Sequence, residues 1–215
     1  AIDGVLAFIH NNCNVFITGS GGTGKSFLLE NLHEYFKLRS KHKLAITAMT
    51  GCAAVLLGPF AKTLHSWAGI GLGRGDPEKI AEAVASDKRK GPRWRKTKCL
   101  VIDEVSMMLE RFYKFFSTLK RMKPDLKFIM VGDYNQLSPV NDRVSSKTDY
   151  QGSPVVFELT DGNHIMLSKC RRSDDKIYNM CLKENINKIN TFDFGRKLCR
   201  MNICHTNKRR ITTTN

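Results

Sequence analysis

No apolar run in this 215-residue chain approaches the roughly 20 residues of a membrane-spanning helix, so no membrane span is expected. The N-terminus, "AIDGVLAFIHNN", lacks the basic start and small-residue cleavage site of a secretory signal. Seven cysteines occur, but no two form a Cys-x-x-Cys pair. Cys199, Cys204 and His205 lie near one another, yet their spacing fits no common zinc pattern. Several cysteines sit inside apolar runs such as "KCLVIDE", where a reduced, buried thiol fits best. That usage implies a reducing, intracellular compartment. Internal repeats and low-complexity tracts are absent.

Acidic residues are also scarce. Asp plus Glu number 20 against 35 Lys plus Arg, a formal net charge of +15. Such an excess points to a polyanionic partner, nucleic acid or a membrane surface; the bland alternative is a soluble basic protein. The apolar share of 41% is ordinary for a globular chain with real cores. The chain does not begin with Met and stops at "ITTTN", so both ends read as cuts in a longer protein.

Four continuous apolar runs have strand character: "NVFIT" (14–18), "LAITA" (44–48), "CLVID" (99–103) and "KFIMVG" (127–132). Continuous rather than alternating runs suit strands buried on both faces of a parallel sheet. Helical patterns fall between them: Leu28, Leu32 and Phe36 recur at spacing four, and Met108, Phe112, Phe115 and Phe116 recur less regularly. Strand alternating with helix predicts an α/β layered fold. Residues 69–98 break the pattern, with a glycine-rich loop "GIGLGRGDPE" and a basic run "SDKRKGPRWRKTK" read as a solvated surface loop. A helical stretch near 174–188 and the run "MNICHT" suggest the start of a second lobe from about residue 166.

The densest chemical signal is "ITGSGGTGKSF" (17–27). Gly19, four further residues, then Gly24, Lys25 and Ser26 match the phosphate-binding loop in full, between a strand and a helix. Glycines, Gly21 and Gly22 among them, let successive N–H groups turn inward toward phosphate oxygens. The following helix adds its positive dipole end. Thr23 lies within the loop, Lys25 reaches the β- and γ-phosphates, and Ser26 ligates Mg²⁺. In "CLVIDEVSMM", Asp103 ends a buried strand and can hold Mg²⁺ through water. Glu104 beside it is placed to activate an attacking water, which favours hydrolysis of the nucleotide.

Further motifs narrow the reading. "MVGDYNQLSPV" (130–140), "TAMTGCAAVLLG" (47–58), "TLHSWAGIGLG" (63–73), "VIDEVSMM" and "LSKCRRSDD" (167–175) stand in one order along the chain. Together they resemble the petite integration frequency DNA helicases, on the RecD-like branch of superfamily 1. The resemblance runs from about residue 13 to residue 211. It implies a RecA-like P-loop NTPase lobe, with a parallel sheet flanked by helices, over residues 1–165. An incomplete second motor lobe would occupy 166–215. It implies ATP and Mg²⁺ as cofactors, and single-stranded and forked or partial-duplex DNA as partners, with movement 5′-to-3′.

By the same resemblance, Gln136 contacts the γ-phosphate and the attacking water. Arg172 reaches the γ-phosphate from the second lobe. Its neighbour Arg171 is the less favoured candidate, since that place in the family is usually aromatic. Thr50, Gly51 and Ala53 match the segment lining the single-strand groove, and His65 and Ser66 match a second DNA-contacting segment. Small residues let backbone N–H groups approach a phosphodiester, and hydroxyl and imidazole groups donate to phosphate oxygens. Without the resemblance, His65 reads equally well as a structural histidine. Trp67 reads as core, with base stacking as the alternative. Thr206 and Asn207 match the family's second lobe. The family's adenine-recognition motif and the late motifs of its second lobe fall outside the chain, so weak hydrolysis is expected of residues 1–215 alone. The implied function is an ATP-dependent DNA helicase of replication, repair or recombination, acting as a monomer. Its compartment would be nuclear, mitochondrial or viral. The rival readings are a phosphate-loop kinase and a nucleotide-gated single-strand grip.

Overall fold

A computed structural model describes residues 1–39, 43–71, 73–134 and 154–171. All of them fall in one compact unit, Ala1–Tyr178. Helix α1 (Ile2–His10) leads into strand β1 (Val15–Thr18), and the phosphate loop opens helix α2 (Lys25–Arg39). Then come β2 (Leu44–Ala48), α3 (Gly51–Leu57), β3 (Ala61–Thr63), α4 (Leu64–Ala68), α5 (Pro77–Ser86) and α6 (Gly91–Lys96). The described chain continues with β4 (Cys99–Asp103), a 3-10 turn (Val105–Met107), α7 (Glu110–Met122), β5 (Lys127–Gly132), α8 (Pro154–Leu159) and β6 (His164–Met166).

The six strands form one parallel sheet in the order β3-β2-β4-β5-β1-β6. Parallel pairing puts every C-terminal strand end on one edge, the edge where open α/β sheets bind ligands. The four apolar runs are the four inner strands. Their side chains alternate between two cores. Phe16, Leu100, Ile102, Phe128 and Met130 face an aromatic core shared with α4 to α7. Val15, Ile17, Val101, Ile129 and Val131 face the core beneath α1, α2 and α3. Cys99 lies in the second core, and burial pushes its thiol up to about 12, so it is an inert packing group. Among the described residues no helix is long and apolar enough to cross a membrane.

The stretch 69–98 corrects the expectation of a plain surface loop, because it contains α5 and α6. Asp76 caps α5 by accepting from Glu78 N at 2.9 Å, and Pro77 presets the first helical turn. Ala81 and Val84 are buried in the aromatic core. The charges behave as expected, since Lys88, Arg89, Arg93, Arg95 and Lys96 are exposed. Trp94 does not, being buried against Trp67 and Phe115. Trp67 is likewise core. Met166, the first residue of the segment expected to open a second lobe, ends β6 and pairs with Thr18. The helical stretch near 174–188, "MNICHT", Thr206 and Asn207, and the sulfur–histidine group at 199–205 lie outside the described residues.

Candidate nucleotide and nucleic-acid site

The loop after β1 owes its shape to glycine. Gly19, Gly22 and Gly24 have φ of 152°, 83° and 95°, values that L side chains rarely adopt. A Cβ on Gly19 would stand 2.4 Å from Leu167 O and 2.8 Å from Thr23 Oγ1. Thr23 braces the loop by donating its hydroxyl to Ser20 O at 2.8 Å. The ammonium of Lys25 turns back over the loop, donating to Gly19 O at 2.5 Å and to Ser20 O at 3.2 Å. Lys25 also begins α2, so its charge and the helix's exposed N–H groups converge on one point. A cavity of about 440 Å³ opens there, lined by Gly22, Gly24, Lys25, Ser26, Glu104 and Arg171.

Asp103 and Glu104 reach this place from β4. The Asp103 carboxyl is buried at 6% exposure, and desolvation, then the Glu104 charge, raise it to about 6, with Lys25 pulling the other way. Glu104 stands at φ 58° and ψ 42°, the left-handed region, and caps the 3-10 turn. A non-glycine residue in that region is uncommon and carries strain of order 1–2 kcal/mol. Its surroundings hold it there. Met49 N donates to Asp103 O at 3.1 Å, and Met107 N donates to Glu104 O at 3.0 Å. The Tyr113 hydroxyl donates to Val105 O at 3.1 Å and lies 2.8 Å from the Tyr134 hydroxyl. Gly132 gives this turn room, because a Cβ there would sit 2.9 Å from Val105 Cγ2. Ser106 Oγ is buried without a hydrogen-bond partner among the described residues.

The donor set suits Mg²⁺. A hydroxyl (Ser26) and a desolvated carboxylate (Asp103) are hard oxygen ligands, and Mg²⁺ characteristically takes only one or two from protein, the rest from phosphate and water. A cation would also relieve the charge burial that raises Asp103.

The second group of expected residues lies on the same sheet edge. Thr50 caps α3 as an acceptor from Ala53 N at 3.2 Å, which leaves its proton to donate. A Cβ added to Gly51 would meet nothing within 4 Å. His65 and Ser66 lie in α4, capped by Thr63, whose hydroxyl accepts from Ser66 N at 3.3 Å. Ala48 and Thr63 are paired residues of β2 and β3, so the two segments are neighbours. Met49 ties this edge to Asp103 through the hydrogen bond above. His65 packs edge-on against Phe112 at 4.9 Å. Burial, then the Arg111 charge, hold its imidazole below the ordinary 6.5.

Gln136 and Arg172 lie outside the described residues. Arg171 and Tyr113 were not among the favoured site residues, yet Arg171 lines the phosphate cavity and the buried Tyr113 hydroxyl holds the turn that carries Glu104. Arg171 was legible only as half of a double arginine. Tyr113 sits in the apolar pattern of "ERFYKFF", and nothing in that pattern shows where a hydroxyl points.

A family model described as PIF1-like helicase matches residues 2–192. The chain belongs to the PIF1-like helicase family. It is 32% identical over 197 residues to the ATP-dependent DNA helicase PIF1 of Saccharomyces cerevisiae (strain YJM789), covering 87% of this chain and 23% of that protein. With the ATP-dependent DNA helicase Pif1 of Bdellovibrio bacteriovorus it shares 32% over 180 residues, covering 80% of this chain and 39% of that protein. The crystal structure of Pif1 helicase from Candida albicans superimposes with a TM-score of 0.70 at 31% identity, over 83% of this chain and 42% of that one. The parallel sheet with flanking helices is thus the RecA-like motor fold of Pif1 helicases. The chain spans 39% or less of the length of these two curated relatives.

Proposed function

We propose that this chain is the nucleotide-binding part of an ATP-dependent DNA helicase that moves 5′-to-3′ along single-stranded DNA and opens duplexes. Residues 1–165 form its first motor lobe and 166–215 begin the second. The carrying observation is the joining of two sites on one sheet edge. The phosphate cradle and Glu104 line one cavity; the end of β4 is joined by one hydrogen bond, Met49 N to Asp103 O, to the segment holding Thr50, and β2 pairs with β3, which leads into the helix of His65. A change at the nucleotide therefore has a short covalent and hydrogen-bonded route to the DNA segments.

In this reading Gly19 to Ser26 bind the triphosphate, and Lys25 swings from the loop carbonyls to its β- and γ-oxygens. Ser26 and Asp103 would hold Mg²⁺, which neutralises phosphate charge when bound. Glu104 orients the attacking water and accepts its proton. Gln136 and Arg172 complete the γ-phosphate contacts as the lobes close. Thr50, Gly51, Ala53, His65 and Ser66 hold the DNA backbone. The net charge of +15 supplies sequence-independent, salt-sensitive affinity. The setting is replication, repair or recombination on forked or partial-duplex DNA, by a monomer, in the nucleus, mitochondrion or a viral replication compartment. The deciding experiment uses the full-length protein on duplexes with a 5′ or a 3′ overhang. Unwinding only from the 5′ overhang, dependent on ATP, is expected; unwinding from the 3′ overhang would reverse the polarity assignment.

His65 provides a pH test. Burial, then the Arg111 charge, hold its imidazole below the ordinary range, so protonation adds a positive charge only on acidification beyond that range. Affinity for single-stranded DNA is expected to rise on that acidification at fixed ionic strength. His65→Gln should flatten the added rise in a fluorescence-anisotropy titration. An unchanged pH slope in the variant would remove His65 from the DNA contact.

A further inference from the structure

Beside the phosphate cavity lies a second one of about 490 Å³, lined chiefly by Ile2, Phe27, Leu28, Met166 and Leu167. The two cavities share Gly24, Phe27 and Arg171. Arg171 is held at this seam by its main chain, since its N–H donates to Gly22 O at 2.8 Å. Four residues earlier, Leu167 N donates to Thr18 O at 2.8 Å. The segment 167–171 therefore runs from the end of the sheet along the outside of the cradle. Arg171 Cδ lies 4.0 Å from where a Cβ on Gly24 would stand. Its side chain is exposed, and no carboxylate among the described residues pairs with it.

We propose that Arg171 is a phosphate-binding residue that clasps the β-phosphate of the bound nucleotide from the outer side of the cradle. The proposal rests on the ATP reading of that cradle. Lys25, Ser26 and Glu104 mark the reacting end of the phosphate cavity. Phe27 and the apolar cavity mark the opposite end, suited to a base and ribose. A nucleotide stretched between them passes its middle phosphate under Arg171, the one cationic residue among the three that the cavities share. A guanidinium is permanently charged and presents several donors in one plane, which matches phosphate oxygens. Although Arg171 falls in the segment 166–215 proposed to open the second lobe, its main-chain anchor and the cradle lie in one compact unit, Ala1–Tyr178, so this contact forms on binding and does not wait for lobe closure. That separates it from the γ-phosphate role expected of Arg172.

The test measures Mg-ADP and Mg-ATPγS binding by calorimetry to the 215-residue chain, as wild type, Arg171→Gln, Arg171→Lys and Lys25→Ala. Loss of one charge-assisted contact predicts that Arg171→Gln weakens both nucleotides about tenfold or more, by similar factors. Arg171→Lys should recover much of that loss, and the nucleotide-free melting temperature of both variants should match wild type. Arg171→Gln binding like wild type overturns the contact. Weakened ATPγS with unaffected ADP overturns the β-phosphate assignment. Equal loss in Lys and Gln variants, with a lowered melting temperature, makes Arg171 structural and overturns the proposal. Lys25→Ala is expected to weaken both nucleotides; if it binds as wild type does, or if wild type binds neither, the cradle reading itself fails and this proposal falls with it.

Discussion

Replacing Glu104 with Gln is expected to slow ATP hydrolysis by about a thousandfold while leaving ATP binding nearly intact. Loss of a positioned general base removes roughly 10²–10⁴ in rate. Gln keeps the size and shape of Glu but cannot accept the proton of the attacking water. The neutral side chain also removes the like charge that helps raise Asp103, so any change in Mg-nucleotide affinity should be small. Single-turnover phosphate release with single-stranded DNA present, paired with an ATPγS binding titration, checks both halves in the full-length protein. Near-wild-type hydrolysis by the Gln variant would dismiss Glu104 as the base.

The backbone at Glu104 adds a second arm to this experiment. Its left-handed conformation suits glycine better than glutamate. Glu104→Gly should therefore be as inactive as Glu104→Gln, yet fold without loss of stability. Tyr113, through Val105 O, and Met107 N, through Glu104 O, hold the turn in place from both sides. Strain kept at a position that points a carboxylate into a cavity is consistent with selection for chemistry over stability.

Much of this site was legible in the residues themselves. The loop 19–26 is recognisable because only glycines permit its φ values and only one lysine follows them. Asp103 was placed at a strand end because the four residues before it, Cys99 to Ile102, are all apolar, and β4 spans all five. The two outer strands were not legible. β3 and β6 have three residues each, and all six are exposed or half-buried, so neither leaves an apolar run. Helices α5 and α6 were obscured by the charges on their surfaces; Ala81, Val84 and Trp94 are too few and too widely spaced to advertise a buried face. Arg171 and Tyr113 were obscured for another reason. Each is placed by a contact that no local pattern shows: Arg171 by its main-chain N–H on Gly22 O, and the tyrosine by its hydroxyl on Val105 O and beside Tyr134 Oη. Spacing patterns carry no record of such contacts.

Trp94→Ala is expected to be the most destabilising single change in the basic segment, at about 3–5 kcal/mol. Trp94 is 3% exposed, stands edge-on to Trp67 at 4.4 Å, and packs against Phe115 at 6.1 Å. Its indole N–H donates to Ala68 O at 3.2 Å. Removing the ring leaves a cavity between α4, α6 and α7 and strips a donor from a buried carbonyl. For a domain of this size the midpoint of thermal unfolding should fall on the order of 10 °C. Trp94→Phe keeps an aromatic group and loses only the N–H and some area, so its loss should be smaller. The effect should also reach function unevenly. Arg93, the residue before, donates through Nη1 to Ser66 O at 3.3 Å and to Trp67 O. Helix α6 thereby braces the helix that carries His65 and Ser66, while the phosphate cradle lies across the sheet beside β1. In the Phe variant, which stays folded, single-stranded DNA affinity should fall more than nucleotide affinity. Equal losses of both ligands would mean that α6 supports the domain as a whole and not the DNA-facing edge in particular.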